Sequence, residues 1–184
     1  MMIANIIRKI REFRMSPTQY AKHIGVKVGK GSVISTKRFP SEAYLIEIGD
    51  YVRISRGTAF ETHGGITAVR HIYNDPDLEI CGKIKIGNYT SIGANCMIMP
   101  GVSIGNECVV AGGSIVTKSI PDGCMVAGNP AKFIGYTEDF YKRIKEKNDF
   151  GCHQLSEQEK RKFFLSQPED KFIKKDYIKL PDIK

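Results

Sequence analysis

The chain has 184 residues, of which 41% are hydrophobic and 26% charged, with a formal net charge of +8 and five cysteines. These values fit one folded body with an ordinary core, and they exclude wholesale disorder, a collagen-like repeat and a coiled coil. No apolar run approaches the ~18 residues of a membrane span, and charges interrupt the start MMIANIIRKIREF where a signal peptide needs its apolar stretch, so a cytoplasmic protein is expected.

The charge is unevenly placed. Residues 1–40 hold nine Lys/Arg against Glu12 alone, whereas residues 41–136 are slightly acidic. Ile3, Ile6, Ile7, Ile10 and Phe13 mark one face of a first, basic helix, which offers a membrane-surface contact as one reading and a solvated face as the other. Ser16-Pro17 then gives the N-cap and first-turn signal of a second helix running to about His23.

From Val28 the pattern changes. Val28-Gly29 and Ile34-Ser35 begin a six-residue beat that continues at Ile48, Ile54, Phe60 and Ile66. From Ile86 it runs unbroken as IGNYTS, IGANCM, IMPGVS, IGNECV, VAGGSI and VTKSIP. First places carry Ile86, Ile92, Ile98, Ile104, Val110 and Val116, and fifth places carry Thr90, Cys96, Val102, Cys108, Ser114 and Ile120. A period of six fits neither a helix nor a half-buried strand, but suits a short strand and a tight corner repeated around a triangle. Three hexads then make one turn, and successive turns stack at ~4.8 Å with the first-place aliphatics inside. Two intervals, Ile34 to Ile48 and Ile66 to Ile80, exceed two hexads by two residues, so each should extrude a corner loop. Such loops on a rigid coil are where sites are built.

Beyond Gly135 the chain becomes highly charged. One helix is expected near Glu138 to Lys147 and another after Ser156, whose Ser156-Glu157-Gln158-Glu159 makes a capping box. The expected organisation is a helical segment at 1–27, the coil at 28–135 and a helical tail at 136–184. Cys81, Cys96, Cys108, Cys124 and Cys152 form no CxxC pair, so neither a disulfide framework nor a zinc knuckle is expected; Cys96 and Cys108 read as small core fillers, which disfavours an acyl-cysteine mechanism.

The hexads, followed by Val126-Ala127-Gly128-Asn129-Pro130-Ala131-Lys132, resemble the hexapeptide-repeat acyltransferases over about residues 28–135. The resemblance implies a left-handed parallel β-helix; that handedness comes from the family, since parallel crossovers are otherwise right-handed. Within the family, SEAYLIEIGDYVRIS and Thr62-His63-Gly64-Gly65 are similar to members that O-acetylate sugars of capsules and lipopolysaccharides, where the equivalent His is the base. Here the Asp that usually follows this His is absent, and Thr67 replaces the usual aromatic. The resemblance further implies acetyl-CoA as co-substrate, bound between subunits of a homotrimer by Ala94, Gly112, Thr117, Lys118 and Lys132, with the two lysines toward the phosphates.

Acetyl transfer from a thioester to a hydroxyl needs a base near neutrality, and an unperturbed histidine at ~6.5 meets that need. His63, three places after inward Phe60 and followed by two glycines, is the assigned base, with His71 in the second loop as its rival. His63 and His71 stand eight apart, and this spacing argues against a histidine metal site. The expected activity is O-acetylation of a sugar in bacterial surface polysaccharide. Alternatives are N-acetylation of an amino sugar, acetylation of a xenobiotic, or a non-catalytic scaffold or membrane-surface adaptor. Nucleic acid is not an expected partner, because no recognition motif accompanies the charge.

Overall fold

The computed structural model describes residues 12–177, so the first expected helix lies, but for Phe13, outside the described residues. The chain divides into two compact units, residues 1–137 and 138–184. Helix α1 (Pro17–His23) opens the first unit with the expected cap: Gln19 N donates to Ser16 Oγ, and Gln19 returns a side-chain acceptor to Ser16 N.

Twelve short strands then wind through three sheets, with single bridges at Arg38 and Ile120 where a strand of sheet C and one of sheet A would fall, and a thirteenth folds back. Sheet A joins β1 (Lys27–Val28), β3 (Ile46–Ile48), β6 (Ile84–Ile86) and β9 (Ser103–Ile104). Sheet B joins β2 (Val33–Ile34), β4 (Arg53–Ile54), β7 (Ser91–Ile92), β10 (Val109–Val110), β12 (Cys124–Ala127) and the antiparallel β13 (Lys132–Tyr136). Sheet C joins β5 (Ala59–Phe60), β8 (Met97–Ile98) and β11 (Ile115–Val116). Apart from β13, all pairs are parallel, which is the three-sided β-coil that the period of six describes.

Register follows the first places. Ile86 pairs with Ile104, Ile92 with Val110 and Ile98 with Val116, and all of these side chains are at most 4% exposed. Stacked aliphatics thus fill the prism as three ladders, each fully buried side chain being worth ~1.5–3 kcal/mol. The fifth places form a second, smaller layer. Buried hydroxyls there are satisfied by the coil itself, with Thr58 Oγ1 donating to Gly93 O and Thr90 Oγ1 to Gly105 O, both at 2.8 Å. Cys96 and Cys108 are buried, and desolvation raises both thiols, as suits filler rather than nucleophile.

Three readings of the beat need correction. Ile66 and Ile80 do not lie on the coil: Ile66 precedes a helix and Ile80 is half exposed. The chain leaves the prism after Thr62 and returns at Gly82, whose amide donates to Thr62 O at 2.7 Å. The excursion is also not a simple loop, because it contains α2 (Thr67–Tyr73). Finally, Ile120 is not a fifth-place residue but bridges Ile104 in sheet A, so the last coil is two residues shorter than the hexads imply. The short step lies between Val116 and Ile120; six residues further on, Val126 pairs with Val110, so the beat resumes in sheet B.

The second unit begins one residue into α3 (Thr137–Lys147) and holds α4 (Glu157–Leu165), the latter with the expected Ser156 capping box. Its packing centre is aromatic: Phe150 meets Phe164 and Phe172 at ring separations of 5.3 and 5.4 Å.

Candidate active site

His63 lies past the end of β5, at the root of the excursion and not on the outside of a regular strand. It forms an antiparallel bridge with Cys81, and Gly64 N donates to Ile80 O at 3.1 Å, so the two ends of the excursion are zipped together. The return is tight. A Cβ on Gly82 would fall 2.2 Å from Gly101 N, which leaves glycine as the residue that fits. Gly65 differs, since a Cβ there would meet nothing within 4 Å. The Gly-Gly step is therefore not demanded by the chain's own packing.

The side chain of His63 is held by a residue from the other extruded loop. Glu42 Oε2 lies 2.7 Å from His63 Nδ1, with the two side chains 26% and 40% exposed. Thr62 Oγ1 donates to the same oxygen at 3.3 Å, and Ser41 Oγ donates to Oε1 at 2.8 Å. The Ser41 hydroxyl first, and then His63, hold the Glu42 carboxyl below its ordinary value. An ionised carboxylate only accepts, so Nδ1 is the donor in this contact, and in the neutral ring Nε2 carries the lone pair. Such a ring is oriented and ready to take a proton. Glu42 was not among the residues singled out in the sequence, and no spacing rule could have found it.

His71 is exposed on α2, whereas its neighbour Arg70 turns back, donating Nε to Leu78 O at 2.6 Å and Nη2 to Glu79 at 2.5 Å. This pair fastens the tip of the excursion. No group of three or more potential metal ligands occurs among the described residues.

The expected co-substrate residues fall on two edges of the prism. Ala94 and Gly112 stack on the edge between sheets B and C, where Gly113 N donates to Ala94 O at 2.8 Å. The Asn129-Pro130-Ala131-Lys132 turn is fastened beside them: Ile115 N donates to Gly128 O at 3.0 Å, and Ala131 N to Ile115 O at 2.8 Å. Thr117 and Lys118 follow β11 to the opposite edge, between sheets C and A. There the Met99–Val102 corner stacks on them, with Met99 N donating to Val116 O and Ser103 N to Ser119 Oγ. His63 emerges on this same edge. Sheet C thus separates the edge carrying His63 and Lys118 from the edge carrying Ala94, Gly112 and Lys132. A 140 Å³ apolar cavity that includes Lys118, Ala131 and Phe133 lies at the C-terminal end of the coil.

The profile of the family described as "Bacterial transferase hexapeptide (six repeats)" matches residues 83–118. Protein CapG of Staphylococcus aureus is 40% identical over 150 residues, covering 79% of this chain and 86% of that protein. Putative acetyltransferase YvoF of Bacillus subtilis (strain 168) is 35% identical over 127 residues, covering 69% and 70%. Among solved structures, the hexapeptide-repeat containing acetyltransferase VCA0836 from Vibrio cholerae aligns with a TM-score of 0.55 at 28% identity, covering 65% of this chain and 64% of that one. The chain therefore spans just under two thirds of that structure. A maltose O-acetyltransferase from Clostridium difficile 630 shares the fold, with a TM-score of 0.51 at 23% identity over 65% and 75% of the two chains.

Proposed function

Because this chain belongs to the bacterial hexapeptide-repeat acetyltransferases, we propose that it moves the acetyl group of acetyl-CoA to a sugar hydroxyl in surface polysaccharide synthesis, with His63 as general base. The observation that carries this reading is the Glu42–His63 pair at the root of the excursion, whose 2.7 Å contact leaves Nε2 as the basic nitrogen. Nε2 takes the proton of the acceptor hydroxyl as its oxygen attacks the thioester carbonyl, and returns that proton to the departing sulfur. No acyl-enzyme is needed.

In this reading the pantetheine arm follows the edge of Ala94 and Gly112, where small side chains leave the backbone open. Thr117, Lys118 and Lys132 attend the nucleotide phosphates as exposed hydroxyl and point charges. A backbone N–H on that edge holds the oxyanion that develops at the carbonyl.

One chain holds His63 and the Ala94–Gly112 edge on opposite sides of sheet C, so the site is completed by a second copy. A homotrimer, in which an edge of one chain meets the next across a cleft, does this three times by symmetry. The coil, read as left-handed from the family, is the catalytic body at 28–135, with segments 1–27 and 136–184 before and after it in sequence. We place the protein in the cytoplasm, with its acetyl donor; among the described residues, no helix is long and apolar enough to cross a membrane.

The test is to incubate purified protein with acetyl-CoA and a panel of saccharides, following thiol release and the mass of each acceptor. Acceptor-dependent thiol release with a matching acetyl gain on a hydroxyl supports the proposal. Acetylation confined to amines, or none across the panel, refutes it.

A further inference from the structure

The coil that carries His63 also carries an unpaired cationic corner at its other end. Arg56 stands on the edge between sheets B and C in the same column as Ala94 and Gly112: Asn95 N donates to Arg56 O at 3.0 Å just as Gly113 N does to Ala94 O at 2.8 Å. The column therefore carries two small residues and, in the coil of β4 and β5, an arginine. Arg38 comes from the preceding coil, bridges Ala59, and donates Nη1 to Gly57 O at 3.0 Å. Gly57 thus has one arginine before it in sequence and a second on its carbonyl.

Both arginines are exposed, and neither forms an ion pair among the described residues. Two uncompensated guanidiniums rooted beside one glycine leave this corner positive, and an anion bound there offsets that charge. Arg38 spends one of its five N–H groups on Gly57, so the rest of its planar fork, and all of Arg56's, remain for a carboxylate or phosphate. Arg38 also walls a 290 Å³ cavity with Phe39, Pro40, Ala59, Phe60 and Glu61. Glu61 marks the end of that cavity toward His63. From Ala59 to His63 the chain advances roughly 13 Å at strand spacing, so the corner and the base face the two ends of one stretch of sheet C.

We propose that the Arg38–Arg56 corner binds a negatively charged group of the acceptor, making the substrate an anionic saccharide whose charge lies away from the hydroxyl that is acetylated. This rests on His63 being the base. The acetyl donor is the less suitable occupant, since Lys118 and Lys132 lie in later coils. The charged group is a sugar-nucleotide diphosphate or the carboxylate of a uronate-containing oligosaccharide; both present the planar or tetrahedral oxygens that an arginine fork matches.

The test reads binding without turnover. Wild type, the Arg56→Gln variant and the Arg38→Gln/Arg56→Gln double variant are titrated calorimetrically with UDP-glucose, a glucuronate-containing disaccharide, neutral maltose and acetyl-CoA. At least one anionic saccharide should bind wild type tighter than maltose does, and should lose tenfold or more in affinity in the double variant, with a smaller loss in Arg56→Gln. UDP-glucose against the uronate tells phosphate from carboxylate. Acetyl-CoA affinity and the oligomeric state should not change. The proposal is overturned if maltose binds as well as both anions, if the variants leave anion binding intact, if they weaken acetyl-CoA equally, or if they break the oligomer. His63→Ala should retain the binding difference, so a wrong base and a wrong corner give different results.

Discussion

Glu42 and His63, twenty-one residues apart in sequence and on separate loops, meet with 2.7 Å between Oε2 and Nδ1. The contact fixes both the tautomer and the direction of the imidazole. Replacing Glu42 by Gln should lower the acetyl-transfer rate while leaving the KM for acetyl-CoA unchanged, because the variant still fills the space but no longer selects the Nδ1–H form. The loss should be smaller than that of removing His63, for which general-base catalysis sets a scale of ~10²–10⁴. Steady-state kinetics on the two variants checks the order.

The same contact has a signature in pH-dependent stability. The Glu42 carboxyl is held below its ordinary 4.5 by Ser41 and His63, so the stability it lends is complete above that value and is lost as pH falls through the lower, folded value. Urea titrations of wild type and Glu42→Gln should therefore differ at neutral pH and converge in acid. A difference that grew with acidity would contradict the assignment.

The excursion was only partly legible in the sequence, and the reason is numerical. Ile66 and Ile80 lie on the six-residue beat, yet neither reaches the core, because the beat records spacing and not whether a side chain is inward. The true departure and return, at Thr62 and Gly82, are fixed by antiparallel hydrogen bonds that no periodicity encodes. α2 was missed because its N-cap, Ile66, provides no side-chain cap. The unbroken hexads from Ile86 were readable because each inward aliphatic is repeated one turn later against a paired neighbour. Glu42 was invisible for the opposite reason, since its role exists only once two distant loops meet.

The two glycines near the base should separate folding from function. Gly82→Ala drives a methyl into the backbone of Gly101 and should cost ~1–3 kcal/mol. Gly65→Ala meets nothing within 4 Å of its own chain and should leave stability unchanged. Any loss of activity in Gly65→Ala then reports on space that the substrate needs. Thermal unfolding alongside transfer assays measures both.

Inside the prism, Ile98 is fully buried between Phe60 and Val116 in sheet C. Ile98→Ala should destabilise the first unit by ~2–5 kcal/mol, since a rigid ladder cannot collapse into the gap. Denaturant unfolding gives the value.

On the edge assigned to the pantetheine arm, Ala94→Leu should raise the KM for acetyl-CoA about tenfold or more, equivalent to ~1.4 kcal/mol, while the acceptor KM is retained. Kinetics at varied acetyl-CoA checks this. An unchanged acetyl-CoA KM would move the arm elsewhere.

The most direct measurement is single-turnover acetyl transfer by His63→Ala, with its assembly state and acetyl-CoA affinity determined on the same preparation. The expected result is a chemical step slower by ~10²–10⁴ in a protein that still assembles and still binds acetyl-CoA. Transfer at the wild-type rate by that intact variant would show that the proton leaves the acceptor by another route.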